Sequence, residues 1–194
     1  MSWLAERARL EAIARAIEPS VRLVPKEGAL WRALGALAAA ATLGGIARQT
    51  FLRDYATAIG PLQGYPRDWS AARVEATLVH EARHTRQARW CGLGLHPWLG
   101  LPLFALLYLG LPLPAGIALP RFLFELDADR ASWRHALAAG AAPDDVRARA
   151  AAFASRVCSG HYGWPIPRRL GAAWFARAAD RTIAAHARAR ERTI

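Results

Sequence analysis

His80-Glu81-Ala82-Arg83-His84 is the segment best suited to chemistry. Residues four apart on a helix project from one face, so His80 and His84 can bring two imidazole nitrogens to one ion. Glu81 lies one step round the helix, beside the pair. It can take a proton from a water without joining the ligand set. Zinc, Zn2+, is the ion that suits imidazole and carboxylate donors in a catalytic setting, where it takes three protein ligands and leaves one position open. Glu125 is the candidate third ligand: it sits on a separate predicted helix beside Phe122, Phe124 and Leu126, where a carboxylate needs a partner to offset its burial. Asp129 follows one turn later on the same face and is placed to accept the second ring N–H of His80.

These side chains need helices to hold them. Ser70 predicts an N-cap and Gly92 a C-terminal glycine, which gives a helix from 70 to 91 carrying both histidines. Pro120 opens a second helix that ends near Ala139 at Gly140 and carries Glu125 and Asp129. Ahead of them, Phe51, Arg53, Tyr55, Thr57 and Ile59 fall on one side of a period-two pattern rich in β-formers. With the Gly60-Pro61 turn signal and Leu62 to Tyr65, this predicts a β hairpin over 49–66. A peptide substrate would add a strand along its edge, beside Tyr55 and Thr57.

The rest of the chain reads as helix. Ser2 caps an amphipathic helix with Trp3, Leu10, Ile13 and Ile17 on one face. Residues 33–47 carry no charge but are short for a membrane span, so a buried helix is expected. Pro143-Asp144-Asp145 starts a helix ending near Gly160, and another runs from about Arg169 to Arg190. The loop between them, Ser159 to Pro165, holds His161 and Tyr162 between glycines. These two are the candidate stabilisers of an oxyanion in the transition state. His96 and His135 read as loop or surface histidines.

Residues 90–120 lack Asp, Glu, Lys and Arg altogether. Their prolines and glycines predict short pieces rather than a clean span: either a hairpin dipping into one leaflet or a buried lid. The 194 residues suit a single domain. It is divided as N-terminal helices (1–48), hairpin (49–66), metal-site core (70–139, with the apolar insertion 90–120) and C-terminal helices (140–194). The expected class is α+β and predominantly α-helical, with the hairpin ahead of the HExxH helix; that helix resembles the motif helix of the zincins, which implies a zincin-like fold.

Net charge is +11, and all but one (Lys26) of the 26 basic residues are arginine. This favours an anionic membrane surface as a partner. No aromatic-and-basic module points to specific nucleic-acid binding. Cys91 and Cys158 have no metal-binding or disulfide spacing. The first residues contain Glu6 and Glu11 and do not form a signal peptide, so a cytoplasmic location, or the cytoplasmic face of a membrane, is expected.

His80-Glu81-x-x-His84 followed by Glu125-x-x-Ala128-Asp129 resembles the gluzincin metallopeptidases. It is closest to the branch of CAAX prenyl proteases and membrane heat-shock proteases. The likeness covers roughly residues 70 to 135, including the apolar stretch between the motifs. It implies zinc held by His80, His84 and Glu125, Glu81 as catalytic base, and Asp129 behind a ligand. The implied activity is hydrolysis of peptide or protein substrates. The same residues would serve an amidase or deacylase acting on a non-peptide amide. A non-catalytic membrane-associated scaffold with a relic metal site is the third reading.

Overall fold

The computed structural model describes residues 2–41, 47–109, 119–159 and 166–192. About 75% of it is helix and the remainder includes one small three-stranded sheet, so the class is α+β with helix dominant. The chain divides into two compact units, Met1–Pro102 and Leu103–Ile194.

In the first unit a 3-10 turn, Trp3–Glu6, leads into α1 (Arg7–Ile17), and the Ser2 side chain accepts a hydrogen bond from the Leu4 N–H. Strand β1 (Arg22–Pro25) follows, then α2 (Ala29–Ala41) and α3 (Arg48–Asp54). Strands β2 (Thr57–Ile59) and β3 (Leu62–Tyr65) turn at Gly60, whose φ of +54° is a left-handed conformation that glycine adopts without strain. Sheet order is β1-β3-β2, with β3 parallel to β1 and antiparallel to β2. Gly64 of β3 leaves room for the Trp31 indole of α2. A Cβ there would lie 2.4 Å from the ring.

Helix α4 (Ala71–Cys91) starts where Ser70 accepts from the Arg73 N–H and stops at Gly92. It packs on α1 and the sheet. Trp3, Leu10, Ala14, Leu23, Tyr65, Val74, Leu78 and Ala82 form the resulting core. Their burial supplies the main stabilisation of this unit, roughly 1.5–3 kcal/mol for each large apolar side chain.

Helix α5 (Pro97–Leu109) begins in the first unit and ends in the second. The second unit continues with α6 (Leu119–Ala138), α7 (Pro143–Val157) and α8 (Arg168–Glu191). Phe122, Trp133, Val146, Val157 and Phe175 centre its core, and the rings of Phe122 and Trp133 meet Phe175 edge-on. Asp144 and Asp145 lie in the first turn of α7, where acids favour the positive helix end.

Three expectations need correction. Residues 50–54 are helical, not the first half of a strand. The alternating Phe51, Arg53 and Tyr55 belong to α3 and its C-cap, so the hairpin is confined to residues 57–65 and Tyr55 lies outside it. Packing of α3 against α2, with the Phe51 carbonyl accepting from the Lys26 ammonium at 2.9 Å, overrides the local β preference. Second, β is not confined to the hairpin: β1 joins it. Third, prolines do not fragment the whole apolar segment. Pro97 occupies the first turn of α5, and the helix runs on through the exposed Pro102 at the loss of one backbone hydrogen bond. Among the described residues, no helix is long and apolar enough to cross a membrane.

Candidate metal centre

The two histidines of α4 face one another. Their Nε2 atoms are 3.0 Å apart and their rings meet edge to face, with centroids 4.7 Å apart. His84 is buried, at 8% exposure, and His80 is half-buried. Two nitrogens on a tetrahedral zinc ion with bonds of about 2.0–2.1 Å stand roughly 3.3 Å apart, so this pair is already spaced for a shared ion.

Gln87, one turn beyond His84, lies against the other side of its ring. Gln87 Oε1 is 2.8 Å from His84 Nδ1. An amide oxygen only accepts, so the contact puts the proton on Nδ1 and leaves the Nε2 lone pair to face the partner histidine. Gln87 is itself fully buried. Behind it, Gln63 of β3 donates to the Thr85 hydroxyl at 3.5 Å and accepts from the Tyr65 hydroxyl at 3.3 Å. The sheet thus meets α4 through buried polar side chains.

On α6, Glu125 is 1% exposed and Asp129 6% exposed, one helical turn apart. The Tyr108 hydroxyl of α5 donates to Glu125 Oε1. Arg121 lies over the Tyr108 ring, 4.9 Å from its centroid. One donor atom from each of His80, His84 and Glu125 lies within 4.8 Å of the others, and the group could hold a metal ion. Two imidazoles and a buried carboxylate form a donor set that suits a divalent metal ion.

Glu81 is half-buried, and its carboxylate charge reaches two buried groups. One is Tyr65, whose hydroxyl pKa is pushed well up by burial and then by Glu81. The other is Lys26, the single lysine. Burial lowers its pKa to about 7, with the Glu81 charge pulling the other way. Its ammonium stacks over the rings of Phe51 (3.8 Å) and Trp31 (5.6 Å), which favours the charged form.

Thr57 is half-buried on β2, an edge strand of the sheet; Tyr55 is exposed at the end of α3. His161 and Tyr162 lie outside the described residues. His96 sits in the loop before α5, and His135 is half-buried on α6. Cys91 and Cys158 are free thiols, with pKa values raised mainly by burial. Sequence reasoning missed Gln87, Tyr108 and Lys26. Gln87 was within reach, three residues after His84 on the same helix, whereas Tyr108 is brought to Glu125 by the packing of α5 on α6.

No family model matches the chain, and no curated protein or solved structure matches it.

Proposed function

We propose that the protein is a zinc-dependent metallopeptidase of the gluzincin type, with His80, His84 and Glu125 as ligands. The observation that supports this reading is the grouping of those three donor atoms within 4.8 Å of one another, with Glu81 next to His80 in the HExxH spacing. Zinc bound there would make a water acidic near neutral pH and polarise the substrate carbonyl.

The remaining work falls to the chain's own side chains. Glu81 takes the water proton on a carboxylate oxygen and delivers it to the leaving amine. Gln87 holds His84 in the tautomer whose Nε2 can ligate, and Tyr108 fixes one oxygen of Glu125. Asp129 would accept the remaining ring N–H of His80, as the resemblance implies. A peptide lies along the edge of β2 beside Thr57 by main-chain hydrogen bonding. His161 and Tyr162 are the candidate oxyanion stabilisers.

Elemental analysis of purified protein tests the site. Near-stoichiometric zinc is expected in the wild type and in Glu81→Gln, with loss in His84→Ala and Glu125→Ala. A peptide library should be cut by the wild type alone. A wild type that takes up no zinc after reconstitution would overturn the reading. Zinc uptake with cleavage of simple amides but not peptides would move the protein to the amidase class.

A further inference from the structure

The α4–α5 corner displays its apolar side chains instead of burying them. Leu93 is the extreme case: it is 90% exposed and its backbone is left-handed, with φ +56°. Leucine is disfavoured there on both counts, because its Cβ is crowded at positive φ and its side chain gains nothing in water. Gly94 beside it, at φ +78°, occupies a conformation that glycine adopts freely. Leu95, Trp98, Leu99 and Trp90 are also exposed around the corner.

This display is built, not frayed. Arg89 donates to the carbonyls of Gly94 (3.5 Å) and Leu95 (3.1 Å). Its Nε donates to Glu18, a buried carboxylate at the end of α1, at 2.8 Å. Gly92 and Gly100 let the start of α5 lie against the end of α4; a Cβ on Gly100 would fall 1.8 Å from the Ala88 carbonyl oxygen. The loop is therefore held by one paired arginine and by a glycine contact that admits no larger residue.

Arginines border the corner. Arg83 and Arg86 of α4 lie over the Trp90 ring, at 4.4 and 5.6 Å from its centroid. Residues 90–120 contain no carboxylate, and the chain as a whole carries +11. Exposed indoles, leucines at a tip and arginines at the margin match the layers of a lipid interface: acyl chains, the glycerol level, and anionic headgroups. Since no described helix can cross a membrane, contact from one face is the geometry that fits.

We infer that the α4–α5 corner is an interfacial docking site for anionic phospholipid, with Leu93 and Leu95 entering the acyl region and Arg83 and Arg86 meeting the headgroups. The inference does not depend on the metal centre and is tested without measuring hydrolysis. The full chain is sedimented with vesicles of phosphatidylcholine alone and of phosphatidylcholine mixed with phosphatidylglycerol. Binding to the mixed vesicles is expected, with weak binding to the neutral ones.

Leu93→Asn is the key variant. Asparagine tolerates the left-handed backbone, so thermal unfolding should be unchanged or shifted upward while vesicle affinity falls about tenfold. Adding Leu95→Asn should weaken binding further. Arg83→Gln with Arg86→Gln should remove the preference for the anionic vesicles and leave the apolar contact. Failure of the wild type to bind either vesicle would overturn the inference, as would undiminished binding by the Leu93→Asn, Leu95→Asn double variant. Self-association that Leu93→Asn abolishes, without vesicle binding, would reassign the corner to a protein partner.

Discussion

Helices α4 and α6 both bury candidate ligands, but they support them differently. On α4 the support comes from neighbours close in sequence and from the adjoining sheet: Gln87 holds His84, and Gln63, Thr85 and Tyr65 form the chain behind. Gln87 thereby orients the His84 ring from within the same helix. On α6 one hydrogen bond to Glu125 comes from Tyr108 on another helix. Burial of a carboxylate carries a desolvation cost that its partners offset. The contrast is between support from within one helix and support from a neighbouring one.

Several measurements sharpen or break that contrast, beginning with the largest effect. Zinc at about 1,000 times its dissociation constant should stabilise the fold by about 4 kcal/mol. Scanning calorimetry would read this as a raised unfolding temperature that is absent in Glu125→Ala. If that variant keeps the full gain, α6 does not supply a ligand. Next, Gln87→Leu should weaken zinc about 10- to 100-fold in competition with a chromophoric chelator, because the His84 ring loses the partner that sets its tautomer. Gln87→Glu, which still accepts that proton, should recover most of the affinity. Tyr108→Phe should cost less, about tenfold in the same titration. An effect larger than that of Gln87→Leu would make the support from the neighbouring helix the greater of the two.

The smallest effect concerns the buried cation behind α4. The Lys26 pKa falls to about 7 in the folded protein, against 10.5 ordinarily. Between those values the unfolded chain keeps the proton and the folded chain gives it up, so stability rises with pH across the window. Below pH 7 both states hold the proton and the penalty is fully present. From pH 7 to pH 8 the gain should be about 1 kcal/mol in urea titrations. Lys26→Met should abolish the slope.

What was legible in the sequence follows the range of the forces involved. Helix α4 was readable from Ser70 to Gly92 because its caps are local, and α7 was announced by Pro143 and its acids. The His80, His84 and Glu125 grouping was legible because HExxH is a single-helix spacing and a buried acid in apolar company needs a reason. Strand β1 was not. Its four residues gain strand geometry only from pairing with β3, 40 positions away in register. Helix α3 was misread because its Phe51 and Tyr55 favour strand locally, while its last turn is tied to Lys26. Pro102 announced a break that an exposed helix position tolerates.

The Arg89–Glu18 pair has a consequence for how the apolar corner can be handled. Arg89 gathers the loop carbonyls, but it is neutralised by a residue 71 positions earlier, at the end of α1. A synthetic peptide spanning the corner would carry Leu93, Leu95 and both tryptophans yet lack the counter-charge that sets their display. The corner is therefore not a portable tag, and grafting it onto another scaffold would require transplanting an acid at the matching place as well.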